Sequence, residues 1–487
     1  MTKHLTLPRI ATLCAIALSV VVGVRLANAA AGDIYNLGTL GGIYSSHAYD
    51  INDAGQVVGS VEYASGWQRA FLWDSNRGMT DLGTPEGHLM SWGYAINASG
   101  TVVGVSSVDD PIYGNWLTHA FAWTPNLPNG TTGTMTNPAN LASGNHSTAV
   151  DINSAGQVVG SSTYAYFDDE GCTPDAPYYP NCGGTWVSDH GPSAALWENG
   201  VGTVLIDRGV ATAINNAGQV VGSSTDGHAY RYDSAPGSGG IIHDLGTLGG
   251  TLFSHAYDIN DSGQVVGDSY SAGNGQHAFL YNGTPGSGGV MVDLGTLGGT
   301  SYSHSHAYGI NDAGFVVGEA DRAAGAGGGA WATLWLNDAG NTAIDLDAWL
   351  DAINPTLGAY WYLMVARAIN NNGLITGTGI YNDGPGGLSD GSRAFVLDAS
   401  SLMSVIPGDF NGNGVVDAAD YVVWRKGTSI APTQENYNIW RSHFGQTAPN
   451  NGSGASSSGN SSVPEPATCA LLMFAVIGWC LRRGQSS

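Results

Sequence analysis

The chain has 487 residues, long enough for one large domain with appendages. Asp and Glu outnumber Lys and Arg by 39 to 15, a net charge of -24. That balance rules against nucleic acid and anionic membrane surfaces as partners, because phosphates need a basic face. Glycine makes up 73 of the residues, about twice ordinary usage, which predicts the many tight turns of an all-β protein.

Residues 1–29 read as a secretory signal. Lys3 and Arg9 form the basic start, 10–24 the apolar centre, and Ala27-Asn28-Ala29 the small-residue cleavage site. The apolar run is shorter than the ~20 residues a membrane span requires.

From residue 32 to 398 one unit recurs seven times. Its most constant part is an Ile-Asn pair, a Gly three residues after the Asn, and a following Val-Val or similar pair. The Asn positions are 52, 97, 153, 215, 260, 311 and 370. In the fifth unit four short runs, 256–260, 264–267, 277–281 and 291–294, are rich in β-branched and aromatic residues and bounded by Gly, Asn, Asp and Ser. That is the signature of strands, and Asn-Asp-Ser-Gly between the first two is a tight hairpin with its Gly left-handed. Four strands in a period of about 45–60 residues fit a propeller blade. The array opens with a fourth-type strand alone, at 34–38. It closes with first-, second- and third-type strands at 366–370, 374–379 and 394–397. Pairing the first with the last closes a seven-bladed β-propeller and removes the open edges. The unit, with its His-Ala-Phe tripeptides at 119–121 and 277–279, resembles the HAF-repeat family of bacterial extracellular proteins.

In such a ring the loops after the second and fourth strands of each blade leave from one end. The long insertions, 106–118, 161–191, 348–365 and 381–392, all sort to that end, which predicts a binding face. Tyr44, Trp67, Trp92, Tyr113, Trp116 and Trp361 would give it aromatic rings suited to stacking on sugars or gripping a protein loop. Packing of the loops themselves is the other use of such rings. Cys172 and Cys182, inside the longest insertion, are read as a disulfide, which an exported chain favours over metal binding. His47, His255 and His306 recur as Ser-His-Ala-Tyr and are read as hydrogen-bonding within the repeat.

The grammar changes after a linker at 399–407. Within 408–449, Asp409, Asn411, Asn413, Asp417 and Asp420 place oxygens at positions 1, 3, 5, 9 and 12 of a calcium loop. Val415 supplies a backbone carbonyl at position 7, and Gly414 makes the sharp turn. Calcium, a hard cation, needs this many oxygens. Tyr421-Val-Val-Trp424-Arg425 recurs as Tyr437-Asn-Ile-Trp440-Arg441, which predicts two similar helices; the second unit lacks the ligand row. The segment resembles a type I dockerin repeat, which implies bound Ca2+ and a cohesin-like partner. A Gly/Ser-rich linker, 450–462, leads to Val463-Pro464-Glu465-Pro466, an apolar run at 467–481 and Arg482-Arg483. This tail, 463–487, resembles the PEP-CTERM sorting signal. The resemblance implies transient membrane anchoring and cutting by an exosortase-type protease.

Together these features predict an exported cell-surface or extracellular binding or structural protein for polysaccharide or protein ligands, and not an enzyme. The alternative is an extracellular glycosidase or lyase on the same propeller. Asp109, Asp110, Asp168, Asp169 and Asp351 are available to it, but no spacing singles out a catalytic pair.

Overall fold

The computed structural model describes most of residues 32–403, with 416–426 and 433–444. Outside it lie 42–44, 110–115, 137–145, 164–165, 169–184, 188–191, 199–200, 234–239, 299–302, 324–328, 385–390 and residues 64, 207, 274, 339 and 383. Seven antiparallel four-stranded sheets follow one another around an axis as blades. In blade five the strands run Gly249–Ile259, Val265–Ser271, Gln276–Asn282 and Val290–Gly295 from the axis outward. The first strands of neighbouring blades touch one another and so line the axis. Blade seven is assembled from both ends of the array. Trp361–Ile369, Leu374–Tyr381 and Gly391–Asp398 are completed by Ile34–Asn36, with Ile34 opposite Leu397 and Asn36 opposite Phe395. The seam between blades seven and one is packed like any other, with Leu37, Ile51, Val57, Phe71 and Trp73 against Leu374, Ala394 and Val396.

Two backbone features explain why the repeat looks as it does. The first strand of every blade carries a bulge at the third residue before its Asn, so Tyr49, Tyr94, Val150, Thr212, Tyr257, Tyr308 and Arg367 are the extra residues. The kink drives a first-strand carbonyl onto the glycine that follows each Val-Val pair. A Cβ on Gly267 would lie 1.8 Å from the His255 carbonyl oxygen, and the other six blades repeat this contact at 1.8 to 2.0 Å. The hairpin glycines, such as Gly55 (φ 77°) and Gly263 (φ 80°), are left-handed, as the turn demands.

The repeated asparagines do more than make turns. Asn260 Oδ1 accepts from the Gln264 amide at 3.0 Å, while Nδ2 donates to the Asn311 carbonyl of the next blade at 3.0 Å. The same link runs from 52 to 97, 153, 215, 260, 311 and 370, and from Asn370 back to the carbonyl of Asn52 at 3.0 Å. A closed circle of side-chain amides therefore stitches all seven blades, each asparagine at most 7% exposed. Farther along the same strands, buried serines bridge neighbours. Ser254 Oγ accepts from Ala229 N–H at 2.9 Å and donates to the Gly246 carbonyl at 2.6 Å. Ser46 does the same across the seam, with Ala394 and Gly38.

Beyond the ring, Ala418–Lys426 and Gln434–His443 are helices, as the recurrent motif predicts. Tyr421, Trp424, Tyr437 and Trp440 stack between them, and Trp440 Nε1 donates to the Asp417 carbonyl at 2.8 Å. Among the described residues no helix is long and apolar enough to cross a membrane.

Candidate functional site: the two ends of the axis

At the hairpin end the asparagine circle and its neighbours surround a cavity of about 370 Å³. Asp151 and Asp258 reach into it, and with Asp50 they form a layer of three carboxylates behind the asparagines. These acids occur in blades one, three and five; Ala95, Ala213, Gly309 and Ala368 hold the position elsewhere. The alternation has a physical reason. Each carboxylate accepts the N–H of its own blade's Ile with one oxygen and that of the next blade with the other. Asp258 binds Ile259 at 2.7 Å and Ile310 at 2.9 Å, Asp50 binds Ile51 and Ile96, and Asp151 binds Ile152 and Ile214. Three acids thus serve the amides of six blades, one to six, in pairs.

Burial pushes the carboxyls of Asp50 and Asp258 up to about 6, despite the pull of the two amides on each. Asp151 is raised well above its ordinary value by burial and by the charge of Asp258. The folded protein therefore keeps protons on these groups that the unfolded chain releases above its ordinary 3.8. Their charge costs stability above pH ~6, and the cost vanishes as the pH falls toward ~4. Asp258→Ala removes this titration but leaves two amides unpaired, a loss of roughly 2–5 kcal/mol. In thermal melts at pH 7, 6, 5 and 4 the wild type's advantage over this variant should widen on acidification. An advantage that shrinks would refute the assignment.

The opposite end carries the insertions. Trp67, on the loop after the second strand of blade one, and Trp116, at the start of the third strand of blade two, meet edge to face with ring centroids 5.9 Å apart, and Trp116 is 46% exposed. Trp92 is half-buried in the first strand of blade two. Trp361 corrects the sequence reading. It begins the first strand of blade seven and is buried, its ring between Tyr381 at 5.0 Å and Phe395 at 5.9 Å, so it packs the blade and offers no face to a ligand. The insertion at 348–365 has folded into Leu346–Ile353, Pro355–Gly358 and the start of that strand, which draws Trp361 inward. Within 106–118 the described residues are strand, paired out to Asp109 opposite Trp116. Tyr44, Tyr113, Cys172 and Cys182 lie outside the described residues.

The recurring histidines flank the axis at this end. Asp268 of blade five is fully buried, with His255 Nδ1 3.4 Å from one oxygen and His306 Nδ1 of blade six 3.5 Å from the other. Gln276 donates to the same carboxylate. Burial alone would raise Asp268, but the bonds from His255 and Gln276, with His306 and Tyr257 close by, hold it below the ordinary range. The Asp268 bond lifts His255, and it lifts His306 against the downward effect of burial. The expectation of bonding within the repeat omitted this carboxylate. The other blades have Ser60, Val105, Ser161, Ser223, Glu319 and Thr378 in its column. A signal was present in the sequence: the residue that departs from its column.

Of the calcium-loop residues, Asp417 and Asp420 are described, while Asp409, Asn411, Asn413 and Val415 lie outside. Asp420 is fully buried and accepts the Asp417 N–H at 2.8 Å; Asp417 Oδ1 accepts from Ala419 N–H at 2.6 Å. Both are oxygen donors of the kind calcium takes, and Asp420 lies in the first turn of the helix Ala418–Lys426. The sorting motif Val463–Pro466 also lies outside the described residues.

The architecture defines a closed seven-bladed β-propeller with an amide-stitched axis. The chain belongs to the family described as protein of unknown function (DUF3466), which matches residues 32–123, 78–183 and 115–288, together more than half of its length. No curated protein matches it. Among solved structures it is similar to a puromycin hydrolase S511A mutant complexed with PGG, at 12% identity and TM-score 0.41, covering 74% of this chain and 53% of that one. It is also similar to TolB from Acinetobacter baumannii, at 12% identity and TM-score 0.33, covering 60% and 63%. A third is the Pyrococcus horikoshii acylaminoacyl peptidase, at 10% identity and TM-score 0.35, covering 69% and 50%. The chain spans about half the length of the hydrolase. None of these likenesses bears on what this chain does.

Proposed function

We propose that the protein is an exported, surface-associated binding protein whose insertion-bearing face holds a polysaccharide. The observation that carries this reading is the exposed Trp116 beside Trp67 on that face, in a chain whose charge rejects nucleic acid. An aromatic edge-to-face pair at the mouth of a rigid ring offers a stacking surface for sugars without ordering cost. The three axial acids do not offer a degrading enzyme its carboxylate pair, because both oxygens of each hold backbone amides. Export would rest on the leader 1–29 and on the tail, cut near Val463–Pro466 by an exosortase-type protease. The loop 409–420 would hold Ca2+, with Asp409, Asn411, Asn413, Val415, Asp417 and Asp420 as ligands, and would stiffen a dockerin-like module open to a cohesin-like partner.

The test is a glycan array probed with the protein from its host, alongside Trp116→Ala. The wild type should bind a family of polysaccharides, and the variant should bind at least about tenfold more weakly, as loss of one stacked ring implies. Binding that ignores Trp116, or turnover of the bound sugars, would contradict the proposal. Intact mass of the same preparation should place the C-terminus at or before Pro466, and its melt should gain stability from calcium over chelator.

A further inference from the structure

At the first-strand bulge the seven blades differ in one charge. Six carry an uncharged residue at the first-strand bulge, and blade seven carries Arg367. Its guanidinium carbon lies 4.2 Å from the centre of the Tyr308 ring in blade six. Its charge is felt by His47 of blade one, by Tyr257 of blade five and by His306 of blade six, which puts it where these blades converge. The side chain is half-buried, and among the described residues it has no hydrogen bond or ion pair. Other sequestered arginines of the ring are tied down. Arg231 holds the Gly263 carbonyl and Asp233, and Arg322 holds Asp345 and Asp347. The guanidinium donors of Arg367 are therefore available to a ligand, in a fork that suits a planar anion.

We propose that Arg367 anchors a carboxylate-binding site on the axis of the insertion face, and that its ligand is an acidic sugar, a uronate unit of a polysaccharide. The inference rests on the proposal that this face binds glycans and names the class of glycan. A guanidinium fixed on a tyrosine face presents a planar fork that matches a carboxylate two bonds at a time. Tyr257 and Tyr308 lie tilted at 5.3 Å, and Tyr49 and Tyr94 meet at 5.5 Å, so half-buried rings line the axis at the level of the bulges. Nearby negative groups decide against denser anions. Asp268 is ionised beside His306, and Glu319 accepts from the Tyr308 hydroxyl at 2.8 Å. A doubly charged phosphate would meet that repulsion for one cation's attraction, whereas a monoanionic carboxylate flanked by hydroxyls would find both charge and hydrogen-bond partners.

The experiment measures binding of oligogalacturonate and of its methyl ester, in which the same sugar has lost its charge, to the full-length protein by calorimetry. The wild type should bind the acid at least about tenfold more tightly than the ester, and Arg367→Gln should abolish that preference, with Arg367→Lys intermediate because it keeps charge without the fork. Circular dichroism melts of both variants establish that they fold, and the lysine variant keeps the question answerable if the glutamine variant does not. Equal binding of acid and ester, or unchanged acid binding by the glutamine variant, overturns the inference. Tight binding of neutral glycans through Trp116 with indifference to the carboxylate overturns it alone and leaves the glycan-binding reading standing. Absence of binding to any glycan overturns both.

Discussion

Removing residues 33–38 is expected to destabilise the whole ring far more than six residues near an end ordinarily would. The segment supplies the outermost strand of blade seven, with Ile34, Tyr35 and Asn36 paired to Leu397, Val396 and Phe395. It also buries Ile34 and Leu37 to 8% and 4% exposure and gives the Gly38 carbonyl to Ser46 of blade one. Two aliphatic side chains withdrawn from water account for roughly 3–6 kcal/mol, and the lost ladder and bridge add to it. That sum is comparable with the whole stability of an ordinary domain. Urea melts of the deletion should show a much lower midpoint or no cooperative transition. A midpoint like the wild type's would mean that the two ends of the array do not close the ring.

The second large effect is expected at the asparagine circle, and it separates two roles that look alike in sequence. Asn and Asp serve equally well at hairpin turns, because either side chain accepts from nearby backbone amides. In this ring the side chain must also donate to the carbonyl of the next blade, which a carboxylate does not do. Asn260→Ala leaves the Gln264 amide and the Asn311 carbonyl without their partners in a buried place, a loss of about 3–5 kcal/mol. Asn260→Asp should lose nearly as much at pH 7, since it restores the turn and sets a carboxylate against a carbonyl. Equilibrium unfolding of both variants checks this. An aspartate variant as stable as wild type would reduce the circle to seven separate turns.

The contrast between what the repeat disclosed and what it hid follows from how repeats work. Strand periodicity, turn glycines and the orphan strand at 34–38 are local or terminal signals, and they are enough to specify seven blades and their closure. The bulge is equally repeated, but its mark is a glycine in the next strand, which reads as ordinary strand weakness until the His255 carbonyl is seen 1.8 Å from where a Cβ would stand. Asp50, Asp151 and Asp258 alternate with small residues, a pattern that invites a catalytic reading until each is found serving two amides. Asp268 and Arg367 were hidden for the opposite reason. Each is an exception within its column, and attention to the shared residues passes over exceptions. Trp361 misled because an insertion that looks like a loop continued the first strand inward, and an aromatic at its start became core.

The most direct test of the account is hydrogen exchange of the full-length protein with and without saturating oligogalacturonate, read by mass spectrometry peptide by peptide. If the insertion face is the binding face, protection should appear at 63–69, at 105–109 with 116–119, and at 361–367. The asparagine turns at 52–56, 97–101 and 260–264 at the opposite end should be unchanged. Protection confined to those turns, or none on either face, would contradict the central claim that this ring presents its insertion-bearing end to a saccharide.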